Sequence, residues 1–352
     1  MRGRPRRCSK CPEQPALRQR ARRLSISLFL PMLVAVGVVQ GRACGGAAYA
    51  GPLQAMIPER QAVNDSSSSE PERSAEENRE TNSTMRRSGS KTLLGSIFGM
   101  KASAKDTEDG EEEGRLDPDR PHLPEASTTV GKGRVVLESG YTFTQKGSSL
   151  RSHTYPESLL RVGMFVDWFE FRIGQNFVSQ EQAVAGVHSR ENGAQDLYLG
   201  AKLALIEQRQ YLPEIALIPQ MTVPTGSRSA TADRVLPGLN VDCGWQVIPG
   251  LFNIELLIAT NQVRDDIHRS HLEVATGLTA VVQVTRDLEA FIEWDAFYSP
   301  GASGAASGAR DYAVGGLVYF ITKNLAVDVR AGVGLTKEAN DFLAGTGFAV
   351  RY

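Results

Sequence analysis

From about Gly133 to the C-terminus, apolar and polar residues alternate with period two, and nothing else in the chain limits its fold as strongly. In Leu325 to Leu335 one face reads Leu325, Val327, Val329, Ala331, Val333 and Leu335, and the other Ala326, Asp328, Arg330, Gly332 and Gly334. In Ala344 to Tyr352 the apolar face is Ala344, Thr346, Phe348, Val350 and Tyr352. Segments of about ten residues with this pattern are what a transmembrane barrel strand requires, because its two faces meet different media. A soluble sandwich alternates too, so the pattern alone does not separate the two.

The connections separate them. Strands are expected at 134–143, 157–165, 168–178, 195–206, 214–223, 238–247, 251–261, 271–284, 287–298, 311–321, 325–335 and 344–352. Connections two, six, eight and ten are tight: Val166-Asp167, Ile248 to Gly250, Thr285-Arg286 and Thr322 to Asn324. The fourth, Glu207 to Pro213, is modestly longer. The odd ones are long and polar, as at Thr144 to Pro156, Ser179 to Ala194, Pro224 to Pro237 and Ser299 to Arg310. Turns at one end and loops at the other are the asymmetry of an outer-membrane barrel. The expectation is therefore all-β: an antiparallel up-and-down barrel of about twelve strands over 133–352, both termini in the periplasm.

Burying charge in hydrocarbon is costly, which assigns the faces. The charged face carries Glu138, Glu170, Arg172, Asp196, Lys202, Asp242, Glu255, Glu273, Glu289, Glu293, Asp295, Asp328, Arg330 and Arg351. A mid-membrane Lys or Arg on the lipid face would cost roughly 2–4 kcal/mol, so this face turns inward. Tyr141, Phe143, Trp245, Phe252, Tyr298, Phe320 and Tyr352 fall near strand ends, where interfacial girdles belong. Tyr352, with apolar residues at alternating positions before it, reads as the C-terminal signal for barrel-assembly machinery.

The net charge of -1 hides an asymmetry: residues 1–50 hold ten Lys+Arg and one acid, and the remainder 29 Lys+Arg against 39 acids. The basic start, the apolar run Leu24 to Val39 and Ala48-Tyr49-Ala50 form a secretory signal expected to be cleaved after Ala50. Arg22-Arg23 fits a twin-arginine signal poorly, and Cys44 follows a poor lipobox. Cleavage leaves Cys243 as the one cysteine. Residues 51–116, with Ser66 to Ser69 and Asp109 to Glu113, are expected to be a disordered periplasmic tether, including an apolar island at Leu93 to Met100. An extended lead-in, 117–132, precedes the first strand.

Several blocks resemble a single bacterial family: Asp117 to Pro121, Glu125 to Val130, Gly133 to Tyr141, Pro156 to Arg161, Asp196 to Lys202 and Val223 to Gly226. It is the family of outer-membrane transporters labelled for the MetA pathway of phenol degradation. The resemblance spans essentially all of 117–352 and implies an outer-membrane barrel of a Gram-negative-type bacterium, associated with aromatic-compound uptake.

Function is expected to reside in the lumen. Glu138, Glu170, Arg172, Asp196, Lys202, Glu255, Glu273, Glu289, Glu293, Asp295, Asp328 and Arg330 form a candidate pathway. Acids outnumber bases there, so an open path would favour cations; alternatively the charges pair and plug the barrel, as side chains fill small barrels. Asp119, Arg120 and Pro121 form a candidate gate, since prolines suit a non-ladder segment. Arg120 would then pair with acids such as Glu289 or Glu293; the competing reading is a lead-in clipped to the periplasmic rim.

Two functions stand: a channel for small molecules, hydrophobic or aromatic if the resemblance holds, or a closed structural or adhesive barrel binding partners through its loops. Catalysis is a distant third. His188-Ser189 with Asn192 faintly suggests a phospholipase, but they sit in an expected loop without a strand to hold the geometry. No phosphate-binding Gly loop, metal-spaced His/Cys cluster or basic nucleic-acid surface is present, so no cofactor or nucleic acid is expected. The expected partners are outer-membrane lipid, the assembly machinery and a small solute.

Overall fold

The computed structural model describes residues 91–98, 114–184, 187–264, 269–302 and 308–352. The expected signal at 1–50, most of the 51–116 tether and His268 lie outside them. The apolar island begins with a short helix, α1 (Leu93–Phe98), which packs on a barrel strand, β5 (Leu197–Ile206).

The other strands are β1 (Val135–Lys146), β2 (Leu150–Gly163), β3 (Phe169–Val184), β4 (Val187–Ala194), β6 (Glu214–Val223), β7 (Leu236–Ile248), β8 (Phe252–Arg264), β9 (Ser270–Thr285), β10 (Leu288–Tyr298), β11 (Ala309–Thr322), β12 (Leu325–Gly334) and β13 (Phe342–Arg351). All pairings are antiparallel and join sequence neighbours except that β4 and β5 both pair with β3, and β1 pairs with β13 to close the sheet. Closure removes the free edges that an open sheet would leave.

The thirteen segments make a twelve-stranded barrel, because β4 and β5 share one partner. Phe177 to Val184 of β3 pair with Ala194 to Val187, and Phe169 to Gly174 with Leu203 to Tyr198. The offset between the two registers marks an irregularity at Gln195-Asp196, so β4 and β5 are a single passage interrupted once.

Charged side chains of the wall turn inward, beside buried apolar clusters, and the outer face is apolar. Val329 is 52% exposed on the outer face while neighbouring Asp328 is 5% exposed, and Ile292 and Glu293 stand at 71% and 5%. Strand periodicity alone puts such neighbours on opposite faces.

Two expected loops are strand instead. The first connection, expected at 144–156, is a turn at 147–149 between β1 and β2, with Gly147 at φ 57°. The third, expected at 179–194, is mostly the paired upper part of β3 and all of β4. Both overhangs are polar on both faces, as in Gln145, Lys146, Arg151 and Ser152, or Ser179 to Gln182. The hydrophobic signal therefore stops while the hydrogen-bond ladder continues. The fifth connection remains a loop, at 224–235, and the described residues of the ninth, 299–302 and 308, lie outside strands. One end of the barrel thus holds tight turns together with Val135 and Tyr352; it is called the near end, and the overhangs mark the far end.

The two faces make opposite demands in a bilayer. Val329→Arg, on the outer face at mid-strand, is expected to destabilise the barrel by roughly 2–4 kcal/mol in guanidinium unfolding from lipid vesicles, and Val329→Leu hardly at all. An unchanged midpoint for the arginine variant would mean that this face does not meet hydrocarbon.

Candidate functional site: the occupied lumen

Residues 114–133 lie inside the barrel rather than on its rim. The segment enters at the near end, where Leu116 N donates to Lys323 O (2.8 Å) and Arg351 donates to Gly114 O (2.7 Å). It rises to mid-lumen at Arg120 to Glu125 and returns, with Gly133 N donating to Gly163 O (2.9 Å) before β1 begins. Its two limbs are tied across: Thr128 Oγ1 donates to Asp117 Oδ2 (2.5 Å), and Ala126 N to Asp119 Oδ1 (3.1 Å). It acts geometrically as a plug.

A non-ladder segment inside a barrel must still satisfy its own main chain, and here wall side chains do so. Glu138 accepts from the amides of Asp119 and Arg120 (both 3.0 Å), Glu293 from Leu123 (3.1 Å), Asp242 from Glu125 (3.0 Å) and Glu170 from Val130 (2.9 Å). Wall cations take the carbonyls: Arg330 donates to Pro121 O (2.6 Å), Lys202 to Ala126 O (2.7 Å) and Arg161 to Asp117 O (3.1 Å). The charged wall therefore reads the plug chiefly as backbone.

One plug side chain sits among three wall cations. The Asp119 carboxylate lies 3.2 Å from Arg161, 2.8 Å from Arg172 and 2.8 Å from Lys202. Arg161 also bridges Glu138 (2.9 Å) and Glu170 (2.8 Å), and all these wall groups are essentially fully buried. Three buried cations face the wall carboxylates Glu138 and Glu170, and the plug adds counter-charge through Asp119 and through Glu125, which pairs with Arg172. An uncompensated buried charge is far costlier than a complete network.

The neighbouring Arg120 pairs with Glu157 (2.8 Å) and Asp328 (3.3 Å), not with Glu289 or Glu293 as expected. Glu289 instead pairs with Arg115, and Glu293 takes Leu123 N and the Thr279 hydroxyl (2.5 Å). Space decides this: Gly140 and Gly347 lie directly against the Arg120 guanidinium, and a Cβ on either would collide with it. Glu255 faces His122 across 3.1 Å.

Of the remaining expected lumen residues, Asp295 is buried beside Gly277, which also abuts Pro124 of the plug. Asp196 and Glu273 do not touch the plug. Asp196 accepts the amides of Gly226 (3.0 Å) and Ala232 (2.8 Å), pinning the 224–235 loop, and Glu273 binds Arg310 and the Ser299 hydroxyl (3.0 Å). Sequence reasoning missed Arg161, Glu157, His122 and Glu125 as site residues. Glu157 and Arg161 were findable, since they share one face of an expected strand; the plug residues were not, because an irregular segment has no period to read. His188 and Ser189, expected in a loop, are consecutive in β4, so their side chains leave opposite faces and the pair is not assembled.

The plug divides the described lumen into two cavities. The far one, about 530 Å³, is bordered by Glu125, Arg172, Asp196, Tyr198 and Glu273; the near one, about 450 Å³, lies under the plug beside Asp117, His122, Glu214, Glu255 and Glu289.

Removing the keystone tests whether the plug closes the lumen. Asp119→Ala is expected to weaken the buried cluster by about 3–5 kcal/mol and to raise single-channel conductance in planar bilayers. Wild-type conductance in a folded variant would mean that Asp119 does not hold the lumen shut.

The barrel resembles solved outer-membrane proteins. The COG4313 outer membrane channel from Pseudomonas putida F1 aligns with a TM-score of 0.55 at 12% identity, covering 65% of this chain and 99% of that one. Looser likenesses are the translocator domain of autotransporter NalP from Neisseria meningitidis (TM-score 0.41, 11% identity, 62% and 87% covered) and the NanC porin (0.40, 8%, 61% and 98%). No curated protein matches the chain. The fold is thus that of a closed twelve-stranded outer-membrane-type barrel. The model of one family, described as "Putative MetA-pathway of phenol degradation", matches residues 118–352, and the chain belongs to that family.

Proposed function

We propose that the protein is an outer-membrane channel for small molecules, kept closed at rest by its own 114–132 segment. The observation that carries this reading is the form of the closure. The lumen is filled by a separate, non-ladder piece of chain with a cavity on each side, held by side-chain bonds. Such a piece leaves without breaking a single strand pairing. The apolar outer face supports placement in lipid, and the basic, apolar N-terminal leader supports export. Hydrophobic or aromatic cargo is the family's implied substrate and is taken here as the working class.

One observation favours a second reading, a closed barrel that binds partners through its far-end hairpins: the mid-lumen charges are densely paired, as a permanent filling would be. Solute uptake separates the two. Liposomes holding the refolded, signal-free protein are expected to take up small aromatics faster than empty liposomes, and faster than sugars or non-aromatic charged solutes of similar size. No uptake of any solute by folded protein, and none after Asp119→Ala, would leave the surface-binding reading.

Assembly is proposed to depend on the C-terminal residue. Tyr352 N donates to Val135 O (2.8 Å), joining the last residue to the first strand. Deleting Tyr352 is expected to lower the fraction of barrel that migrates as folded on unheated gels, in cells more than in detergent refolding. An equal loss in both would mean a structural role only, without recognition by the assembly machinery.

A further inference from the structure

The far cavity holds a built-in clue to its ligand. At its floor the plug's Glu125 presents a carboxylate to Arg172 at 2.5 Å. The Glu125 side chain is 20% exposed, whereas Arg172 is 1% exposed and reaches Asp119 with its other terminal nitrogen at 2.8 Å. One guanidinium thus joins the cavity to the plug's keystone. Its Nε has no hydrogen-bond partner among the described residues.

The other acids bordering the cavity are already engaged. Asp196 is taken by two main-chain amides, and Glu273 by Arg310 and Ser299. Glu125 is the plug carboxylate at this border, and it is reachable from the cavity. Leu159, Leu236 and Val263 contribute apolar lining, and the volume of about 530 Å³ suits a small organic molecule.

We propose that the far cavity binds small amphipathic carboxylates, and that the bound carboxylate replaces Glu125 on Arg172 and so loosens the plug. The inference rests on the channel reading and names its substrate class. Exchange of one carboxylate for another keeps the buried guanidinium paired, and the displaced Glu125 carboxylate, already 20% exposed, turns to the water of the cavity. The fork of Arg172 suits a planar carboxylate, whereas an alcohol of the same shape cannot substitute for the ionic partner. With Glu125 released, the plug retains Asp119 on Arg172 but loses one of the contacts that fasten its returning limb.

The test uses the full signal-free chain in uncharged detergent, with 3-phenylpropionate and 3-phenylpropan-1-ol as matched probes in calorimetry. The acid is expected to bind at least about tenfold more tightly than the alcohol, since only it offers a charge-assisted pair. Glu125→Gln removes the internal competitor and is expected to tighten acid binding by about tenfold with alcohol binding unchanged, a competition effect of the kind expected when a self-ligand is removed. Should that variant fold poorly, Glu125→Asp, which keeps the charge but shortens its reach, is expected to tighten acid binding to a smaller degree. In bilayers the acid is expected to raise wild-type conductance and the alcohol to leave it unchanged.

Equal binding of acid and alcohol, or unchanged acid affinity in folded Glu125→Gln, would overturn the proposal. Acid binding in the expected order with no solute uptake by liposomes would retire the channel while the site stands. Uptake without measurable binding of either probe would retire the site while the channel stands.

Discussion

The buried cations of the lumen wall are the constraint on which the site depends. A barrel with an apolar exterior must turn its charges inward, and in a twelve-stranded wall those charges converge. Arg161, Arg172 and Lys202 meet within reach of one point, with Glu138 and Glu170 beside them. The plug adds counter-charge to this cluster, with the Asp119 carboxylate in reach of all three cations and Glu125 on Arg172. The plug is thus part of the electrostatics of the wall, and the same low-dielectric setting that makes the cluster firm makes its incomplete form costly.

Around that point, recognition is mostly of main chain. Wall carboxylates take amides along the plug and wall cations take its carbonyls, so an irregular segment achieves the satisfaction that strands obtain from ladders. The arrangement stabilises a closed lumen without a covalent or sheet connection to the segment's middle. Two cavities result, one opening toward the hairpins of the far end and one toward the turns. A closure built this way is compatible with release, because most of the bonds to be broken are made by side chains rather than by a strand ladder.

How much of this was legible depended on whether a residue's environment had a period. Asp328 and Arg330 in β12, or Glu289 and Glu293 in β10, could be assigned inward from alternation with Val327, Val329, Ile292 and Trp294. The polar overhangs of β1 to β4 could not be recognised as strand: with water on both faces, neither face needs apolar residues. The lead-in had no period at all. Its prolines marked it as non-ladder chain, but whether it lay on the rim or within the lumen depended on the wall that received it.

The sequence by itself determined the barrel: alternation sets the two faces, tight turns set the neighbours, and inward charge follows from the cost of placing it in hydrocarbon. Only the tertiary structure decided what the inward charges do. Asp119 is near Lys202, 83 positions away, and Arg120 is near Asp328, 208 positions away, because closing the barrel brings distant strands round a common axis. A local pattern carries no record of which residues will meet across such a lumen. Partner choice there is settled by geometry, such as the room that Gly140 and Gly347 leave for one guanidinium.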